Sequence, residues 1–116
     1  MFDPHREAHR QHIHLSYIRG LPFRGLWMPD VHTIYLRHGM SWVEERCTLA
    51  HELGHAHYGH RDQSPKNERQ ADEWAATRLL GHVDYYPADI TVADFCHEHD
   101  VTPRILLAHL RTRKAS

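Results

Sequence analysis

The sequence predicts an α+β fold, a small three-stranded antiparallel sheet packed on a helical bundle. Three observations carry that prediction. β-forming residues crowd the stretch from Ile13 to Arg37 and are interrupted by turn signals. Two longer stretches, Trp42 to Gly59 and Lys66 to Leu80, each follow an N-capping serine. The connection between these helices is short, so they should pack as antiparallel neighbours. The 116 residues suit one domain, 1–116, with a C-terminal helix pair at residues 90–113 inside it.

Composition narrows the function classes. An apolar fraction of 41% and a charged fraction of 25% are those of an ordinary globular protein. A formal net charge of -1 gives no argument for direct nucleic-acid binding, although positive charge gathers near the C-terminus. No run approaches the length of a membrane span and the N-terminus has no apolar core, so a cytoplasmic protein without a membrane partner is expected. Cys47 and Cys96 lack C-x-x-C spacing and read as buried, reduced thiols. Histidine is abundant, with 14 residues, so the charge turns cationic near pH 6.

In chain order, Asp3 and Pro4 open a short polar helix over residues 3–12. A strand follows from Ile13 to Ile18, and Gly20-Leu21-Pro22 breaks it. Two strands, Arg24 to Met28 and Thr33 to Arg37, are joined through Pro29-Asp30, a turn signal because proline presets φ and aspartate bonds back to the backbone. Leu26 and Met28 are expected to face one side, opposite Ile34 and Leu36. Ser41 with Glu44 forms a capping box for the first long helix, which buries Val43, Cys47, Ala50 and Gly54. Ser64-Pro65 starts the second, with Ala71, Ala75 and Leu79 inward, Trp74 flanking them and Gly81 at its end. A third helix, about Ile90 to His99, buries Val92, Phe95 and Cys96. Thr102-Pro103 starts the last, whose apolar positions are Ile105, Leu106 and Leu110.

The chemistry lies at His51-Glu52-Leu53-Gly54-His55. On a helix this His-Glu-x-x-His puts both imidazoles on one face, one turn apart, where they can hold one Zn²⁺. Glu52 can then serve as general base toward a water acidified by the ion. In so histidine-rich a chain the motif alone arises by chance roughly one time in ten, so its surroundings matter. A catalytic zinc needs a third protein ligand. Antiparallel packing of the second helix brings Glu68 and Asp72 toward the imidazoles. Glu68 has the longer reach and is taken as the ligand, with Asp72 accepting from an imidazole N–H; the reverse assignment is the alternative.

Ala50-His51-Glu52-Leu53-Gly54-His55, followed by Glu68-x-x-Ala71-Asp72-x-Trp74-Ala75 and Leu79-Leu80, resembles the ImmA/IrrE family of zinc metallopeptidases. The likeness spans about residues 13 to 113. Trp74 stands where the family has Phe, and Gly81 where it commonly has Pro. The resemblance implies that His51, His55 and Glu68 bind zinc and that Glu52 is catalytic. It further implies an endopeptidase that cleaves a transcriptional repressor, as in phage and mobile-element regulation. His57, Tyr58, His60 and His82 are read first as surface or packing residues, with oxyanion stabilisation as the alternative role, while His14, His32, His38, His97, His99 and His109 are read as surface residues. Two other functions compete. One is a DNA-binding or adaptor protein using the helix pair from Val92 to Leu110 with Arg104, Arg111, Arg113 and Lys114; the other is a non-catalytic zinc protein.

Overall fold

A computed structural model describes residues 1–115. The chain runs α1 (Pro4–Arg10), β1 (His14–Ile18), β2 (Gly25–Met28), β3 (Thr33–Arg37), α2 (Trp42–Tyr58), α3 (Pro65–Leu80), α4 (Val92–His99) and α5 (Pro103–Ala115), with a 3-10 turn at Pro29–Val31. The starts of α1, α2 and α3 follow the caps read from the sequence, while α4 begins after Thr91 rather than near Ile90. Asp3 accepts from the backbone N–H of His5, Ser41 from Glu44, Ser64 from Asn67 and Thr91 from Asp94. Each satisfies a donor that the first helical turn leaves without a partner.

The sheet is mixed, which corrects the antiparallel expectation. Its order is β1-β3-β2, with β2 antiparallel and β1 parallel to β3. β3 carries Ile34 and Leu36, both fully buried, so it takes the central place and separates the other two strands. The chain between Ile18 and Thr33 then forms the long crossover that a parallel pair requires. Facing is corrected too. Trp27 pairs with Ile34 and Gly25 with Leu36, so these residues, rather than Leu26 and Met28, share the core side of the hairpin.

Helix α2 is shared by two cores. Leu49 and Leu53 pack on Ile34, Leu36 and Trp74 toward the sheet, with Ala8 and Ile13 from the N-terminal segment. Cys47 and Ala50 pack on Ala75, Leu79, Phe95, Ile105 and Leu106 toward the other helices. Gly54 explains how α3 comes so close. A Cβ there would lie 2.8 Å from the carbonyl oxygen of Ala71 and 2.9 Å from its Cα. Both cysteines are free and buried, as read. Three residues depart from expectation. Val92 and Leu110 are exposed, and His109 is buried, its Nδ1 bonded to the Tyr86 hydroxyl. Ala108 and His109 take the inward places on α5 because they follow Ile105 by one helical turn. Among the described residues no helix is long and apolar enough to cross a membrane.

Candidate metal centre

Spacing of four along α2 stacks His51 over His55, with ring centroids 4.7 Å apart and planes at 88°. Their Nε2 atoms are 3.1 Å apart. From α3, Oε2 of Glu68 lies 2.7 Å from Nε2 of His51 and 3.6 Å from Nε2 of His55. Three donors tetrahedrally bound to one zinc at ordinary bond lengths would sit about 3.3 Å from one another. The triangle of 2.7, 3.1 and 3.6 Å is therefore the size of one face of such a site. Two imidazoles with one carboxylate are also the donor set of catalytic zinc with an open position, whereas structural sites favour thiolates. The residues present fit the metal.

Glu52 stands beside this face. His51, Glu52 and His55 each offer a ligand atom within 4.8 Å of the others. Even so, Glu52 is the poorer third ligand. Its Oε2 is 4.0 Å from His51 Nε2, and its Oε1 accepts the backbone N–H of Trp27 at 2.9 Å. Gly25 makes that bond possible, since a Cβ there would come within 2.7 Å of Thr48 Cγ2 and 3.2 Å of Glu52 Cγ. β2 thus lies flat against α2, and one oxygen of Glu52 remains directed at the site.

The groups behind the imidazoles are of two kinds. Nδ1 of His51 is 2.7 Å from Oδ1 of Asp72, so Asp72 has the supporting place and Glu68 the facing one. Asp72 is in turn gripped by Arg104 of α5, whose Nε donates to both carboxylate oxygens at 3.0 Å. The same guanidinium reaches Oε2 of Glu68 at 3.3 Å. Nδ1 of His55 is 2.9 Å from Nδ1 of His60, and Nε2 of His60 is 2.8 Å from Oε1 of Gln70.

These contacts shift proton affinities. Burial opposes a charge on His51, yet hydrogen bonds to Asp72 and Glu68 outweigh it and carry its pKa up to about 9. His55, buried and next to a cationic neighbour, falls to about 4. Burial pushes Glu52 up to about 7. Glu68 is held below the usual carboxylate range by its bond to His51. Burial raises Asp72, but His51 and Arg104 more than compensate and leave it low.

Of the residues nominated from sequence, His51, Glu52, His55, Glu68 and Asp72 all converge here. His60 is present in a different capacity, behind His55. Tyr58 is half exposed and stacks on His60 with planes at 12°, His57 packs against Trp74, and His82 lies beside His99. Sequence reading passed over three contributors, namely Arg104, Gln70 and the Trp27 amide. The first comes from a segment distant in sequence and the last is backbone. Gln70 alone left a trace, since it stands two residues from Glu68 and Asp72.

A helix pair that sets two imidazoles and an intervening carboxylate against a second carboxylate is the arrangement of a His-Glu-x-x-His metal-dependent hydrolase. Residues 8–90, most of the chain, match the peptidase M78 family described as the IrrE N-terminal-like domain, and the chain belongs to that family. The match bears out the resemblance read from the two helical segments. No curated protein is significantly similar to the chain.

Proposed function

We propose that the chain is a zinc-dependent endopeptidase whose metal is held by His51, His55 and Glu68. The observation that carries this reading is the triangle of donor atoms, 2.7, 3.1 and 3.6 Å on its sides. Zinc bound there would acidify a water and polarise the scissile carbonyl. The chain's own residues do the rest. Glu52 takes a proton from the attacking water at Oε2 and returns it to the departing amine nitrogen. Its other oxygen stays fixed on the Trp27 amide, which keeps the carboxylate in one rotamer. β2 is an edge strand, so a polypeptide can add to it in extended form and lie across the site.

The substrate we infer is a transcriptional repressor of a phage or mobile element, cleaved in the cytoplasm. The family membership and the place of β2 at the edge of the sheet support a protein substrate. The competing DNA-binding reading is weakened by the engagement of its arginines. Arg104 is bound to Asp72 and Glu68, and Arg113 donates to the carbonyls of Val83 and Asp84. Salt-dependent binding of duplex DNA by the isolated protein would favour that alternative.

Glu52→Gln tests the enzyme reading. The variant should keep its zinc and lose cleavage of helix-turn-helix repressors from the same genome by about 10²–10⁴-fold, the usual contribution of a positioned general base. Undiminished cleavage would refute the role given to Glu52.

A further inference from the structure

The two imidazoles of the site are held from behind by chemically different groups. His51 leans on a carboxylate, while His55 leans on a second imidazole. The hydrogen-bond polarity of that second chain can be worked out from its far end. Oε1 of Gln70 only accepts, so Nε2 of His60, 2.8 Å away, carries the hydrogen. With its hydrogen at Nε2, His60 presents the Nδ1 lone pair to Nδ1–H of His55 at 2.9 Å. His55 is left with its own lone pair at Nε2, the atom that faces Nε2 of His51 and Oε2 of Glu68.

Local structure delivers His60 to this place. Gly59 ends α2 in the left-handed region, at φ 69° and ψ 31°. The next amide, that of His60, bonds back to the carbonyl of His55 at 3.0 Å. The chain therefore folds under its own last turn. The His60 ring comes to rest 5.1 Å from that of His55, with Tyr58 stacked 5.3 Å away.

We propose that His60, anchored by Gln70, is a positioning residue that fixes the tautomer and orientation of His55 so that Nε2 is presented to the metal. This rests on the reading of His51, His55 and Glu68 as ligands. Partners behind metal-bound histidines are commonly carboxylates or carbonyls. Glu52, Glu68 and Asp72 already bring three carboxyl groups to the site. An imidazole in this place orients His55 without adding a fourth carboxylate.

The test is zinc affinity of the full chain, measured by competition with a chromophoric chelator, for the wild type, His60→Ala, Gln70→Leu and Gln70→Glu. His60→Ala should weaken zinc binding by about 10–100-fold, the usual effect of removing such a support. Gln70→Leu should weaken it by a smaller factor, and Gln70→Glu should bind no worse than wild type because it still accepts from His60. Imidazole ¹H–¹⁵N spectra of the zinc-loaded wild type should show a protected Nδ1–H on His55 that Gln70→Leu exposes to exchange. Gln70 is only half-buried on α3, so its variants remain informative if His60→Ala misfolds. Wild-type affinity and an unchanged His55 Nδ1–H in the Gln70→Leu and His60→Ala proteins would overturn this proposal alone. A wild-type protein that takes up no zinc would overturn it together with the function on which it rests.

Discussion

Glu52 is confined from two directions, by the helix that carries it and by a strand amide that occupies one of its oxygens. Gly25 sets that confinement, because a Cβ there would meet Thr48 and Glu52. Gly25→Ala should therefore lower cleavage by about tenfold or more while zinc content stays at wild-type level, the general-base contribution being the part disturbed. Equal turnover in that variant would show that the Trp27 amide is idle. His51 makes a second residue-scale prediction. Its pKa of about 9 means that the imidazole is protonated at pH 7 before metal binds, whereas His55, at about 4, is neutral. Zinc uptake near pH 7 should then release about one proton, and apparent affinity should rise with pH until it levels off near 9. Calorimetry in buffers of differing ionisation enthalpy reads the proton count; a count of zero at pH 7 would contradict the assignment. At this scale the convergence of His51, Glu52, His55, Glu68 and Asp72 was legible because their identities and spacing lie within two helices. Arg104 was not, because nothing local pairs it with Asp72 across 32 residues of chain.

Among the elements, the close approach of α3 to α2 places Glu68 over the imidazoles. Gly54 permits it, with Ala71 against the bare Cα. Gly54→Ala gains about 1 kcal/mol of helix propensity but forces backbone against Cβ, an overpacking cost of about 1–3 kcal/mol. Net destabilisation of about 1 kcal/mol and weaker zinc binding are expected, read from urea midpoints and chelator competition. A more stable variant with unchanged affinity would mean that the helices are not in contact there. The first three helices and their caps could be read from sequence because Asp3, Ser41 and Ser64 act on amides two or three residues away. The sheet could be read only as strands. Its order depends on which strand is buried most deeply, and that is decided by Leu49 and Leu53 packing on Ile34 and Leu36 rather than by any turn residue. The same nonlocal packing moved Trp27 to the core side and left Leu26 and Met28 off it.

In the whole molecule, the site depends on chain beyond the family match. α5 begins after residue 90, yet it supplies Arg104 to Asp72 and Glu68 and places Ile105 and Leu106 in the core around α2. A protein truncated after residue 90 should lose cooperative unfolding and bind zinc poorly, as circular dichroism melts and chelator competition would show. Full cooperativity in the truncated chain would separate the C-terminal helices from the folding unit. Two neighbouring helices gripping one ion, with Glu52 beside it, is the feature on which the peptidase reading depends. Elemental analysis of the native, unchelated protein tests it most directly. About one zinc per chain is expected in the wild type and little or none in His55→Ala or Glu68→Gln, since a catalytic site needs all three ligands. A metal-free native protein, or a full equivalent of zinc retained in His55→Ala, would contradict it.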